Sequence, residues 1–144
     1  MRLVVILASI TVLHQCSPLH NLRCADATAQ HWSGGIAGTH GIYYRIYFSG
    51  KQAEQLRFDS LWVEGRRIRA EAVSPQSGRY PIEVLANDYR GIRQKPDGTA
   101  HSDAVEAPPP IQTKAFAVLG AFVDGQRLFI PIDSFRQLKP LFYP

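Results

Sequence analysis

The stretch Ala115 to Ile132 constrains the fold most. Ala115-Phe116-Ala117-Val118-Leu119-Gly120-Ala121-Phe122-Val123 is apolar on both faces, as a central strand is. Asp124-Gly125 is the favoured type I′ two-residue turn, and Gln126-Arg127-Leu128-Phe129-Ile130-Pro131-Ile132 returns with Leu128, Ile130 and Ile132 on one face. Pro131 has no N–H to give to a ladder, which places the returning strand at an edge. No part of the chain shows a sustained helical period, so the class is all-β.

Further strands precede this hairpin. Ile42, Tyr44, Ile46 and Phe48 share one face at period two, and Tyr43, Arg45 and Tyr47 share the other. Leu56-Arg57-Phe58 and Leu61-Trp62-Val63 are strand segments. Arg66 to Val73 alternates Ile68, Ala70 and Ala72 against Arg67, Arg69 and Glu71, with Glu64-Gly65 as the hairpin corner before it. Tyr80, Ile82, Val84 and Ala86 line one face of another strand, and Pro81 marks its start or puts it at an edge. Asn87 to Pro110 is polar and predicts a long surface loop, with a hairpin at Asp97-Gly98, a stiff Pro108-Pro109-Pro110 segment and room for a partner. Ser134 to Pro144 predicts one helical turn over Phe135–Leu138, stopped by Pro140. Short strands between turns predict an antiparallel β-sandwich, with an immunoglobulin-like topology as one option, or a small barrel.

The N-terminus bears on location. Arg2 precedes an apolar run from Leu3 to Leu13, about the length of a signal-peptide core and about half of what a membrane span needs. We read 1–15 as an export signal, 16–30 as a tether and 31–144 as a single domain. Two processing readings stand side by side. In the first, Cys16 accepts a lipid, with Leu13 three residues upstream as in a lipoprotein signal, although His14 and Gln15 occupy places that normally hold small residues. The protein is then held on a membrane of the bacterial cell envelope. In the second, Ala25-Asp26-Ala27 is cut before Thr28 and the product is secreted and soluble. If both cysteines survive unmodified, Cys16 and Cys24 can pair in an oxidising compartment; otherwise Cys24 is a lone tether thiol.

The formal charge of +4 makes the chain mildly basic. An exported chain meets anionic lipid or polysaccharide before nucleic acid, so no nucleic-acid partner is expected. The four glycines between Trp32 and Gly41 suit turns and bulges; a phosphate-cradling loop needs a following helix, and a strand follows here. His31, His40 and His101 are isolated, without the spacing of a metal pair, and no cofactor is expected. His101-Ser102-Asp103 has the residue types of a hydrolase triad, but consecutive side chains cannot form the relay, and no G-x-S-x-G elbow occurs. No catalytic residue emerges, and a non-enzymatic role is the expectation. The candidate contact residues are Trp32, His40, Tyr43 and Tyr47, the aromatics by stacking on sugar rings or a protein partner, and Arg67 and Arg69 by contact with anionic headgroups or glycan phosphate. The plainer alternative for the arginines is a solvated sheet face that blocks edge pairing.

Trp32-Ser33-Gly34-Gly35, Gly38-Thr39-His40-Gly41, the tyrosine-rich strand, Phe58-Asp59-Ser60-Leu61-Trp62 and the terminal Leu141-Phe142-Tyr143-Pro144 together resemble a group of small Bacteroidetes-type bacterial lipoproteins of unknown function. The resemblance implies an envelope location and a β-rich domain, and it carries over no catalytic residue. The expected function is a cell-envelope lipoprotein tethered through Cys16 that acts as a structural or interaction module with an envelope protein or glycan. The alternative is a glycan-binding β-sandwich using Trp32, Tyr43 and Tyr47, and an unrecognised hydrolase comes third.

Overall fold

The computed structural model describes residues 22–35, 38–73, 81–91 and 104–144. The apolar run, Cys16, Tyr80, the Asp97-Gly98 turn and His101-Ser102-Asp103 lie outside these residues. Among the described residues the strands are β1 (Arg23–Gly34), β2 (His40–Ser49), β3 (Arg57–Val63), β4 (Arg66–Ala72), β5 (Ile82–Tyr89), β6 (Val105–Glu106), β7 (Ala117–Val123), β8 (Gln126–Ile132), β9 (Arg136–Gln137) and β10 (Leu141–Tyr143). They join in the order β10-β1-β2-β5-β4-β3-β7-β8, with β6 beside β4 and β9 beside β1. The result is an all-β, mostly antiparallel sheet curled through 181° into a half-barrel.

Local chemistry explains the hairpins. Glu64-Gly65 and Asp124-Gly125 adopt the paired positive φ of type I′ turns, at 50° and 73° and at 47° and 75°. Alternation then fixes which side faces inward. Ile42, Tyr44, Ile46 and Phe48 of β2, Ile68 and Ala70 of β4, Ile82, Val84 and Ala86 of β5, and Leu119 and Ala121 of β7 all enter one core on the concave side. Phe48 is fully buried there and stacks on Phe58, with ring centroids 5.5 Å apart.

The arms β1-β2-β5 and β3-β7-β8 have the strand order of an immunoglobulin-type sandwich. They do not separate into two sheets, because β4 belongs to both. Its first half pairs with β3 from Val63↔Arg66 to Ser60↔Arg69, and its second half pairs with β5 from Ala70↔Ala86 to Ala72↔Val84. Pro81 immediately precedes β5, which sits between β2 and β4, so the proline marks a strand start. Pro131 lies on β8, which is an edge strand as its sequence predicts.

Two expectations need correction. The sequence predicts a tether as far as Gln30, but β1 starts at Arg23 and pairs with β2 along its length, from Arg23↔Ser49 to Ser33↔His40. Polar residues on its outer side hide the pattern, while Ala27 and Ala29 supply the buried face. A cut after Ala27 would therefore remove the Cys24 and Asp26 rungs and the Asp26–Arg136 ion pair. The helical turn expected at Phe135–Leu138 is instead extended chain. Beyond β8 the backbone crosses the open side of the half-barrel. Phe135 packs on Tyr44 and Phe116 at centroid distances of 5.0 and 5.9 Å, and β9 and β10 pair in parallel with β1. Hydrogen bonds to a neighbouring strand outweigh the weak helical preference of so short a segment. One 3₁₀ turn, Lys51–Gln55, links β2 to β3.

Candidate functional site: an aromatic outer face

The concave side supplies the core, so the convex side of β1-β2-β5 is free to carry function. The register sets its residues in rows: Trp32, Gly41 and Tyr89; then Gln30, Tyr43 and Asn87; then Thr28, Arg45 and Leu85; then Asp26, Tyr47 and Glu83. The indole of Trp32 lies across Gly41. A Cβ there would come 2.8 Å from the ring atoms Cε2 and Cζ2, so only glycine leaves the ring its place.

Tyrosines surround that indole. Tyr43 stacks on it at 5.6 Å and 26°, Tyr89 leans on it at 5.6 Å, and Tyr143 meets it edge-on at 6.5 Å. The indole Nε1–H donates to the Asn87 Oδ1 at 3.1 Å, which fixes the ring's rotation and leaves the Asn87 amide NH₂ as a surface donor. Trp32 is thus only 8% exposed, whereas Tyr143 is 49% exposed and Tyr43 and Tyr89 are half-buried. The tryptophan is the support, and the tyrosines are the contact surface.

Arg45 lies beside this cluster. Its guanidinium sits 5.2 Å from the Tyr43 ring centroid, donates to the Gln30 Oε1 at 3.2 Å and pairs with Glu83 at 3.2 Å. Burial and the neighbouring Tyr143 hydroxyl raise the Tyr43 phenol above its ordinary value, so it remains a neutral hydrogen-bonding group. Burial, aided by the Glu83 charge, does the same for Tyr47. Tyr44 points into the core and is pushed up to about 12, chiefly by burial.

The structure therefore brings Trp32 and Tyr43 together and places Tyr47 on the same face, beyond Arg45. His40 stands apart at the entry to β2, exposed, with its Nδ1 2.9 Å from the Gly38 carbonyl oxygen. Arg67 and Arg69 belong to β4, opposite Trp62 and Ser60 of β3. Sequence reasoning missed four members of the aromatic face. Tyr89 and Asn87 follow from extending the β5 alternation past Ala86, and Gln30 lies in the stretch whose polarity predicts a tether. Tyr143 has no local signal, because a parallel pairing with Gly34 brings it there.

The other arm repeats the device. Trp62 lies over Gly120, and Arg127 sits over the rings of Trp62, Phe122 and Phe129 at 5.6, 4.5 and 5.3 Å while pairing with Asp59 at 2.8 Å. Among the described residues no three of His, Cys, Asp or Glu converge as a metal site, and no helix is long and apolar enough to cross a membrane. No protein-family model, curated protein or solved structure matches the chain.

Proposed function

We propose that this domain is a carbohydrate-binding module whose contact surface is the outer face of β1-β2-β5. One observation carries the reading: Tyr43, Tyr89 and Tyr143 are arrayed around a fixed indole on the side of the sheet that the core does not use. The tyrosines bury the indole, but their own outer surfaces stay in water and forgo burial worth roughly 25 cal/mol per Å². A sugar ring matches both halves of the surface. Its C–H face stacks on the phenol rings, and its hydroxyls pair with the tyrosine hydroxyls, the Asn87 amide and Gln30.

The test is a glycan array followed by calorimetry on whatever the array identifies. Tyr43→Ala and Tyr143→Ala should each weaken binding about tenfold, a loss of ~1.4 kcal/mol. The unfolding midpoint should stay nearly unchanged in Tyr143→Ala, whose ring is the most exposed. A wild-type protein that binds nothing on a broad array would defeat the proposal.

We further propose that the module is exported and lipid-anchored through Cys16 in a bacterial envelope, supported by Arg2, the apolar run 3–13 and the cysteine at its end. Residues 17–22 then separate the anchor from β1 and hold the domain close to the membrane. The intact mass of protein isolated from bacterial membranes should correspond to a chain starting at Cys16 plus acyl groups. An unacylated mass would remove the anchor and leave the carbohydrate reading untouched.

A further inference from the structure

A second surface lies where β4 passes from one arm to the other. Pairing between β3 and β4 ends at Ser60↔Arg69, β3 carries a bulge between Phe58 and Ser60, and β6 covers β4 only at Arg66 and Arg67. These three irregularities open a groove of about 530 Å³ on the outside of the sheet. Its lining includes Arg57, Arg67 and Arg69, with Ser60 as a hydroxyl and Phe122 and Val105 as apolar walls.

Ion pairing alone does not explain these arginines. Arg67 and Arg69 are i,i+2 neighbours on one strand face, where like charges repel, and among the described residues no carboxylate pairs with Arg57 or Arg67. They do not guard an edge either, since β4 is bonded to β3 on one side and to β6 or β5 on the other. Asp59 and Glu71 also line the groove, each beside an arginine, and the buried Asp59 Oδ1 has no hydrogen-bond partner among the described residues. Asp59 accepts from Arg127 at 2.8 Å and from the Ser60 hydroxyl at 3.2 Å, and Glu71 pairs with Arg69 at 3.3 Å in an exposed, weak contact. Arg57 is steadied by its position 5.0 Å from the Phe122 ring centroid.

We infer that this groove binds a sulfate or phosphate ester carried on a saccharide. Several guanidinium forks around a concave surface match the geometry of a tetrahedral oxyanion, to which arginine bonds in pairs. The apolar walls suit the ring that bears the ester. The saccharide carrier rests on the carbohydrate reading of the aromatic face; the oxyanion site does not.

Two measurements separate these parts. Titration with inorganic pyrophosphate, followed by NMR of the arginine Nε–H groups, should shift Arg57, Arg67 and Arg69 even if every glycan array is blank. Absence of shifts there overturns the oxyanion site. Binding to dextran sulfate should exceed binding to dextran, weaken with salt and fall about tenfold in both Arg57→Gln and Arg67→Gln. The double variant Lys114→Gln, Lys139→Gln removes two exposed charges that do not line the groove and should bind nearly as the wild type does. Equal losses in the lysine and arginine variants would show that net charge does the binding and would overturn the groove. Capture by anionic phospholipid vesicles with none by dextran sulfate would overturn the saccharide carrier.

Discussion

Replacing Asp88 with alanine should destabilise the domain by about 3–5 kcal/mol, read as a fall in the urea midpoint at constant slope. Asp88 is 0% exposed and stands on the core face of β5, opposite Ile42. Its carboxylate bridges Arg66 at 2.9 Å and Arg90 at 2.8 Å, and Arg90 reaches on to Glu64. Burial works against the Arg90 charge, yet the bonds to Glu64 and Asp88 outweigh it and raise its pKa above the ordinary arginine value. Alanine would remove the buried anion that Arg66 and Arg90 share at the end of the apolar core, while Arg90 would keep its bond to Glu64. Both arginines are about one-third exposed and can turn toward water, so the lower part of the range is expected. Asp88→Asn keeps the shape and one acceptor and should cost less, about 1.5–3 kcal/mol for a charge-assisted bond. A loss below about 1 kcal/mol in the alanine variant would show that this network is dispensable.

This network also marks a boundary of what the sequence makes legible. The hairpins at Glu64-Gly65 and Asp124-Gly125, the alternation of β2 and β4, the central β7 and the edge proline of β8 are all local signals, and each is present in the structure. Pairings between distant segments leave no such trace. Asp88 looks like one more polar residue after Ala86, because its partner Arg66 lies on another hairpin. The crossing from β8 to β9 and β10 is equally silent: Arg136, Gln137 and Leu141–Tyr143 show no alternation long enough to count, and they become strands only because β1 offers an open edge. The fold class was therefore readable, whereas the curl and the closure were not.

The candidate surface divides along the same line. Trp32, Tyr43 and Tyr47 follow from period-two reasoning on β2 and the residues before it, but their roles do not. Tyr43 is a contact candidate because it faces away from the core, as the alternation implies. Trp32 is a buried support because Gly41 leaves space on the adjacent strand, a relation across the sheet. The arginines show the converse. Their place on one strand face is legible in the alternation, but edge protection does not apply to them, because the strand order puts β4 inside the sheet. Topology removes the structural explanation and leaves the chemical one.

The substitution Gly41→Ala joins fold and function in one experiment. The new methyl would lie 2.5 Å from the Asp88 carbonyl oxygen and 2.8 Å from the Trp32 ring. The carbonyl belongs to the paired β2-β5 ladder and cannot withdraw without straining it, and the indole must move as well. Overpacking of this kind costs about 1–3 kcal/mol. Displacing the ring also breaks its bond to Asn87 and withdraws the support beneath Tyr43, so the Trp32 indole N–H resonance should shift and saccharide affinity should fall with it. Gly120→Ala is the control on the other arm. Its methyl would meet Trp62 at 2.8 Å and Arg127 at 2.7 Å, side-chain ends that can give way, so the loss of stability should be smaller. Saccharide binding through the tyrosine face should survive Gly120→Ala and fail in Gly41→Ala. If both variants lose affinity equally, binding depends on general stability, and the outer face of β1-β2-β5 is not the site.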